Sequence, residues 1–247
     1  MKLAGKTAIV TGGGRDIGAA AALKLASEGA NVAINYFSSS AGANAVVAEI
    51  NANGGKAFAL QGDLTKLEDV DMLVGKTVDD FGGIDVLINN AGGLIARKTI
   101  SECSLEHWHA VMNLNLTSTF MMINSCLARM KSGTIVNLAS QAARDGGGPG
   151  SIPYATSKGA IMTMTRGLAK ELGPKIRVNA LCPGMIDTDF HNIHTADASR
   201  RGFEANAPVK RQGAVEDVAN LVLFLACNDS AFITGANIDI NGGMVFS

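Results

Sequence analysis

The sequence has 247 residues, of which 47% are hydrophobic and 17% are charged, enough apolar material for one large α/β domain. Its formal net charge is -1, which argues against a nucleic-acid or membrane-surface role because both need a basic excess. No uninterrupted apolar run is long enough to span a bilayer, and the first residues lead directly into a strand, so we expect neither a membrane segment nor a signal peptide.

Short apolar runs alternate with longer helical patterns from one end of the chain to the other. The predicted strands are residues 7–10, 32–35, 57–60, 85–89, 134–138, 177–181 and 236–240, and the first predicted helices are residues 17–28 and about 41–53. Strands that alternate with helices predict a parallel sheet covered on both faces, which is a Rossmann-type doubly wound α/β fold. No linker or repeat interrupts the pattern, so residues 1–247 are predicted to form a single dinucleotide-binding domain.

A glycine-rich turn, residues 11–18 (TGGGRDIG), follows the first strand and opens the first helix. Glycines at this position allow a tight turn and a close approach of the backbone to a pyrophosphate at the helix N-terminus. Many glycine-rich segments are only loops, but the position between strand and helix favours a nucleotide site. The candidate cofactor residues here are Gly12, Gly14, Arg15, Ile17 and Gly18.

The end of the second strand carries no carboxylate, since the chain continues as Asn35-Tyr36-Phe37-Ser38-Ser39-Ser40. An acidic side chain at this point would bond the ribose 2′-hydroxyl and repel a 2′-phosphate. Tyr36, Ser38 and Ser39 are therefore predicted to contact the cofactor, with NADP(H) favoured and NAD(H) as the alternative. A polar turn with an exposed arginine is the structural alternative.

Tyr154 and Lys158 are four residues apart in a helical pattern, so they share one helix face. A neighbouring ammonium favours the phenolate, and we expect it to lower the pKa of Tyr154 and make the pair a general acid/base. Taken alone, the spacing is also that of an ordinary surface pair. The strand at residues 134–138 ends beside Ser140, whose hydroxyl could face the phenol.

These three residues, together with Asn89-Asn90-Ala91-Gly92 and Pro183-Gly184, resemble the short-chain dehydrogenase/reductase family, and the resemblance covers essentially the whole chain. It implies an enzyme that uses NADP(H) to interconvert a carbonyl compound and an alcohol by hydride transfer. The carbonyl compound is a ketone or an aldehyde. It also implies cofactor contacts from Asp63, Leu64, Asn90, Ala91, Gly92, Tyr154, Lys158, Pro183, Gly184 and Thr188. For Asp63, a helix-capping role is the alternative.

The resemblance implies catalytic roles for four residues. Ser140 bonds the carbonyl oxygen, Tyr154 delivers the proton, and Lys158 holds the ribose and lowers the pKa of the phenol. Asn115 completes a proton relay, with Asn113 as the competing assignment.

Two positions depart from the family pattern. Asp16 replaces the middle glycine of the loop, where it could cap the helix start but brings a negative charge near phosphates. Tyr154 follows Ser140 by fourteen positions, one more than is usual in the family, and the glycine-rich segment 146–150 is expected to absorb the extra residue. Ser151 is the second candidate serine.

The segment at about 185–207 is polar and weakly periodic, and we interpret it as a lid over the substrate. Basic side chains on the carboxyl side of the sheet suggest an anionic substrate, such as a keto acid, an oxidised sugar acid or a β-ketoacyl thioester. The candidates are Arg97, Arg144, His191 and His194, although solvated loop charges are the default explanation. Leu94, Ile95, Met185 and Ile186 are candidates for an apolar wall.

A non-catalytic, dinucleotide-sensing regulator is the alternative function. Such a regulator would be expected to lose catalytic residues, whereas this chain keeps them. In the family, the region that corresponds to Asn241-Gly242-Gly243 lies at a subunit contact, which implies a homotetramer. The four cysteines lack the paired spacing of metal ligands, so we expect no metal site, and they indicate reduced thiols in a cytoplasmic protein.

Overall fold

Seven strands and ten α-helices lie within residues 1–246, the part of the chain that this computed structural model describes, and at least one helix separates each strand from the next. The strands are β1 (Thr7–Val10), β2 (Asn31–Tyr36), β3 (Lys56–Gln61), β4 (Val86–Asn89), β5 (Gly133–Leu138), β6 (Ile176–Pro183) and β7 (Asn237–Ile240). The helices are α1 (Asp16–Ser27), α2 (Ser40–Ala52), α3 (Leu67–Phe81), α4 (Leu105–Met112), α5 (Ser118–Leu127), α6 (Ala142–Asp145), α7 (Ile152–Leu172), α8 (Asp189–His194), α9 (Asp197–Asn206) and α10 (Val215–Ala226). Each predicted strand is present, with ends that differ by at most two residues.

The strands form one parallel sheet in the order β3-β2-β1-β4-β5-β6-β7, which confirms the predicted doubly wound fold. The chain builds outward from β1 to β3 and then returns to place β4 on the other side of β1. This reversal leaves a crevice beyond the carboxyl ends of β1 and β4, where open α/β sheets bind ligands.

Alternate residues of each strand pack into different apolar clusters because successive side chains point to opposite sheet faces. On β1, Ala8 and Val10 pack against α1 and α10 residues on one face, whereas Ile9 packs with α3 and α5 residues on the other. Burial on both faces is what requires continuous apolar strands in a parallel sheet. No helix among residues 1–246 combines the length and the apolar character needed to cross a membrane.

Candidate active site

A cavity of about 980 Å³ lies at the carboxyl ends of the strands. All the predicted cofactor residues line it: Gly12, Gly14, Arg15, Ile17, Gly18, Tyr36, Ser38, Ser39, Asp63, Leu64, Asn90, Ala91, Gly92, Tyr154, Lys158, Pro183, Gly184 and Thr188. Ser140 lines the same cavity. The fold therefore brings residues from seven separate chain segments to one crevice, as the doubly wound topology requires.

The glycine-rich turn packs its backbone closely against its surroundings, and the N–H groups of Gly12 and Gly13 bond the side chain and the carbonyl of Asn35. Gly12 has φ +62°, a conformation that favours glycine, and a Cβ at Gly18 would lie 2.2 Å from the Gly12 carbonyl oxygen. Helix α1 begins at Asp16, and within the described chain no side chain caps its N-terminus. Unpaired N–H groups at the start of a long helix fit the pyrophosphate of a dinucleotide.

Thr11 and Asn90 join the ends of β1 and β4 beside this turn. The Thr11 hydroxyl accepts hydrogen bonds from the backbone N–H groups of Asn90 and Ala91, at 2.9 and 3.0 Å. The Asn90 amide donates to the carbonyls of Thr11 and Gly12, at 3.0 and 3.1 Å. These bonds hold the two strand ends at the topological switch point, so they set the shape of the nucleotide site.

Arg15 lies next to the connection that follows β2. A Cβ at the preceding Gly14 would lie 2.8 Å from the Ser39 carbonyl oxygen, so the turn and the β2–α2 connection are in direct contact. The Arg15 side chain is half exposed and lies 3.3 Å from Asp189 and 3.8 Å from Asp16. Exposed ion pairs of this kind are weak, and a phosphate could replace the carboxylates.

Asp63 does not cap a helix. Its side chain accepts hydrogen bonds from the backbone N–H and the hydroxyl of Thr65, at 3.0 and 2.7 Å, and α3 begins only at Leu67. The turn that these bonds hold places both Asp63 and Leu64 in the cavity wall.

Ser140 and Tyr154 face each other across the cavity. The Ser140 hydroxyl lies close enough to the phenol to act on its pKa, and the connection between the two residues contains α6 and three glycines with positive φ. Ser151, the second candidate, is buried, and its hydroxyl donates to the Gly148 carbonyl. Ser140 is therefore the serine whose hydroxyl meets the phenol.

The pKa of Tyr154 is raised, not lowered, so the sequence-based expectation is wrong for this structure. Burial of the phenol is the main cause, and the hydrogen bond from Ser140 opposes it. The Lys158 ammonium lies 5.8 Å from the centre of the tyrosine ring and donates to the Leu138 carbonyl at 2.6 Å. Tyr154 consequently remains a neutral phenol at physiological pH, which is the form that can donate a proton.

Lys158 is buried, and burial lowers its pKa to about 8, so it stays cationic at neutral pH. Asn115 lies close by, because a Cβ at Gly92 would lie 2.5 Å from the Asn115 Oδ1 and 3.2 Å from the Lys158 Nζ. The Asn115 Oδ1 accepts from the Gly93 N–H at 2.9 Å, and its Nδ2 donates to the Val111 carbonyl at 2.9 Å. Asn113 is exposed and lies away from this group.

A π-helical turn, Asn113–Thr117, joins α4 to α5 around Asn115. Such turns disturb the regular hydrogen bonding of an α-helix and are frequent at functional sites. Propensity alone predicts that a mid-helix asparagine is unfavourable, and here the Asn115 side chain replaces part of the disturbed backbone pairing by bonding the Val111 carbonyl.

Asp16 does not cap its own helix, contrary to the expectation from its position. Its Oδ1 instead accepts a hydrogen bond from the backbone N–H of Asp189, at 3.2 Å, and no side chain caps α1 within the described residues. Its backbone φ is +51°, the conformation that explains why the family pattern has glycine here. Burial raises the pKa of the Asp16 carboxyl, with the Asp189 N–H opposing the shift.

Arg144 does not line the cavity, which corrects its prediction as a substrate residue. Its Nε donates to Asp239 at 3.1 Å and its Nη2 donates to the Asn237 carbonyl at 2.8 Å. The side chain therefore ties α6 to β7, because the helix turns it away from the crevice.

Arg97, His191 and His194 do line the cavity. Arg97 donates to the carbonyls of His194 and Pro149, at 2.9 and 3.0 Å, and so contacts both the 185–207 segment and the loop before Tyr154. Burial lowers the pKa of His191 to about 4, with Arg200 and Arg97 adding to the shift, and burial together with Arg97 also lowers the pKa of His194. Both imidazoles are neutral at pH 7, so Arg97 is the cation among these three.

Phe190 was not predicted as a wall residue, whereas Ile95 was a wall candidate whose backbone conformation was not predicted. Phe190 in α8 packs against Tyr154 with ring centres 5.8 Å apart, and no local sequence pattern marks a contact between positions so far apart. Ile95 has φ +64°, which a β-branched residue rarely adopts, and it lines the cavity in this strained conformation.

Comparisons with known proteins agree over the full length of the chain. A family model described as enoyl-(acyl carrier protein) reductase matches residues 12–245. A 3-oxoacyl-[acyl-carrier-protein] reductase from Synechocystis sp. is 41% identical, with 98% of each chain covered. A blue fluorescent protein from a metagenomic library, solved in complex with NADPH, has a TM-score of 0.93 and 38% identity, with 100% of both chains covered. A short chain dehydrogenase from Burkholderia cenocepacia, solved in complex with NADP, has a TM-score of 0.93 and 37% identity, covering 98% of this chain and 99% of that one.

Proposed function

Since the chain belongs to the short-chain dehydrogenase/reductase family, we propose that its reaction is the NADPH-dependent reduction of a β-ketoacyl thioester to the 3-hydroxyacyl thioester. The protein is an NADP(H)-dependent oxidoreductase that interconverts a carbonyl and an alcohol. The observation that carries the proposal is the meeting of Ser140, Tyr154 and Lys158 in one cavity with apolar walls.

The chain's own residues divide the work of the proposed reaction. NADPH, when bound, supplies a hydride to the carbonyl carbon. Ser140 donates a hydrogen bond to the carbonyl oxygen as negative charge develops there, and Tyr154 transfers its phenolic proton to the same oxygen. Lys158 holds the ribose and keeps a positive charge beside the phenol, while Asn115 supports the relay that returns a proton to the site.

The walls of the cavity favour an acyl substrate over an oxidised sugar acid. Apolar side chains from the β4–α4 connection and from the 185–207 segment line it: Leu94, Ile95, Met185, Ile186, Phe190, Ile193 and Phe203. A sugar needs many hydrogen-bonding partners, whereas an acyl chain gains from apolar contacts. The name of the Synechocystis relative supports the same choice.

We further propose that residues 185–207 form a lid and that Arg97 recruits an anionic group carried by the substrate. The guanidinium has five N–H donors, of which two are engaged by backbone carbonyls, so others remain for a phosphate or carboxylate. Coenzyme A thioesters carry phosphates that suit this position at the cavity wall.

The substrate proposal is tested by comparing acetoacetyl-coenzyme A, its neutral N-acetylcysteamine analogue and an oxidised sugar acid as oxidants of NADPH. We expect turnover on both thioesters.

Arg97→Ala is expected to raise KM for the charged thioester by roughly tenfold and for the neutral one much less, as loss of one charged hydrogen bond predicts. Arg144→Ala is the matched control, since that side chain lies outside the cavity. Turnover on the sugar acid alone would contradict the proposal that the substrate is a thioester. Equal increases in KM for the two thioesters would mean that Arg97 does not bind an anionic group of the substrate and has only a structural role.

Cofactor choice gives a second prediction. Tyr36→Asp places a carboxylate at the end of β2, where it bonds a ribose hydroxyl and repels a 2′-phosphate. We expect the ratio of kcat/KM for NADPH over NADH to fall by roughly tenfold or more, because opposed like charges cost at least ~1.4 kcal/mol. Tyr36→Asn removes the ring without adding charge and is expected to keep the preference. A ratio that is the same in wild type and Tyr36→Asp would mean that this strand end does not meet the ribose.

We also propose a cytoplasmic homotetramer. The cysteines within residues 1–246 are all free, as expected in a reducing compartment. Large apolar side chains are exposed on α4 and α5, including Leu105 and Phe120, and would be covered by subunit contacts. Sedimentation velocity distinguishes a tetramer from a monomer.

A further inference from the structure

The Asp16 side chain, in the glycine-rich turn, forms a hydrogen bond to a segment far away in the sequence. Its Oδ1 accepts from the backbone N–H of Asp189, the first residue of α8, at 3.2 Å. The neighbouring Arg15 pairs with the Asp189 carboxylate at 3.3 Å. Two adjacent turn residues thus hold the beginning of α8 from the opposite side of the cavity.

Both ends of this connection border the cavity. Arg15 and Asp16 line it from the turn, and Thr188 and Phe190, which flank Asp189, line it from the other side. A dinucleotide held by the turn and by Thr188 would occupy the space that the connection closes. It could leave freely only after the connection opened.

An aspartate is an unexpected residue for this position. At φ +51° a glycine would be less strained, and a carboxylate near a pyrophosphate opposes binding. The tie to Asp189 is a compensating interaction that glycine cannot make. The other charged groups that face Asp16 are Arg15, Asp187 and Asp189.

We propose that Asp16 is a positioning residue that ties α8 of the lid to the glycine-rich turn and thereby slows the release of the bound cofactor. The inference rests on the proposed function for the identity of the cofactor. The hydrogen bond itself joins two segments of this chain and can be measured without a cofactor.

Three variants separate the hydrogen bond from the charge. Asp16→Gly removes the acceptor and suits the positive φ. Asp16→Asn keeps an Oδ1 acceptor, tolerates the same backbone conformation and removes the charge. Asp189→Asn keeps the backbone N–H that Asp16 bonds and removes only the ion pair with Arg15.

Two measurements are made on each purified full-length variant: amide hydrogen exchange of residues 189–194 without cofactor, and the rate of NADPH release when excess NADP⁺ displaces it. For Asp16→Gly we expect both rates to rise by roughly three- to tenfold, the range for loss of one hydrogen bond. Asp16→Asn is expected to keep amide exchange within about twofold of wild type, since the acceptor remains. It is expected to release NADPH no faster than wild type, because it also removes a negative charge near the pyrophosphate. Exchange in Asp189→Asn is likewise expected to resemble wild type.

Wild-type rates in Asp16→Gly would overturn the proposal, as would an Asp16→Asn protein that behaves like Asp16→Gly. Thermal unfolding identifies a general loss of stability, which Asp16→Gly is not expected to show because it relieves a strained φ. If wild type fails to bind NADPH, the proposed function fails, whereas the exchange data still decide whether Asp16 holds α8.

Discussion

Tyr154→Phe is expected to reduce kcat by ~10²- to 10⁴-fold, the range for loss of a positioned general acid. Phenylalanine keeps the ring that packs against Phe190 and removes only the hydroxyl that meets Ser140. The variant should therefore fold and bind NADPH as wild type does. Steady-state NADPH oxidation measures the loss, and fluorescence titration of NADPH measures the retained affinity.

If kcat of Tyr154→Phe stayed within tenfold of the wild-type value, Tyr154 would not be the proton donor. A large loss of NADPH affinity would carry a different meaning, because it would show that the hydroxyl holds the cofactor and not the reacting carbonyl. The pKa of the buried phenol is raised, so the hydroxyl that the variant removes is in the protonated form that can donate to a carbonyl oxygen.

Ser140→Ala is expected to lower kcat by ~10²- to 10³-fold, comparable to removing one donor from an oxyanion site. The hydroxyl is placed to bond both the Tyr154 phenol and the carbonyl oxygen, so its loss leaves the developing charge without one of two partners. KM should change much less than kcat, because the interaction is strongest in the transition state.

Ser151→Ala is the matched control for the serine assignment. The Ser151 hydroxyl bonds loop carbonyls and not the phenol, so this change is expected to cost stability more than turnover. If Ser151→Ala lost kcat and Ser140→Ala kept it, the two serines would exchange roles.

Much of the fold, and most of the residues that line the cavity, could be predicted from the sequence because they depend on local patterns. Continuous apolar strands such as β1 and β5 are recognisable from their residues alone, and the parallel topology brings their carboxyl ends together. Glycine spacing and the i, i+4 relation of Tyr154 and Lys158 are likewise local. Predicted strand ends shift by a residue or two since neighbouring strands, and not the sequence, decide where pairing stops.

Other features depend on tertiary placement and could not be predicted. Arg144 follows the serine closely in sequence, yet α6 turns it toward Asp239. The raised pKa of Tyr154 comes from burial, which no spacing rule reports. The sequence shows that Asp16 departs from the glycine pattern. It does not show that Asp16 bonds Asp189, because the two residues are 173 positions apart.

The most direct test of the proposed function is a single-turnover reaction of the wild-type protein carrying stoichiometric NADPH with excess acetoacetyl-coenzyme A. NADPH fluorescence follows the oxidation, and mass spectrometry identifies the product. We expect one 3-hydroxybutyryl thioester for each NADPH oxidised, and no product from Tyr154→Phe on the same timescale. Tight NADPH binding without oxidation by this or any other carbonyl compound would contradict the account and favour a dinucleotide sensor.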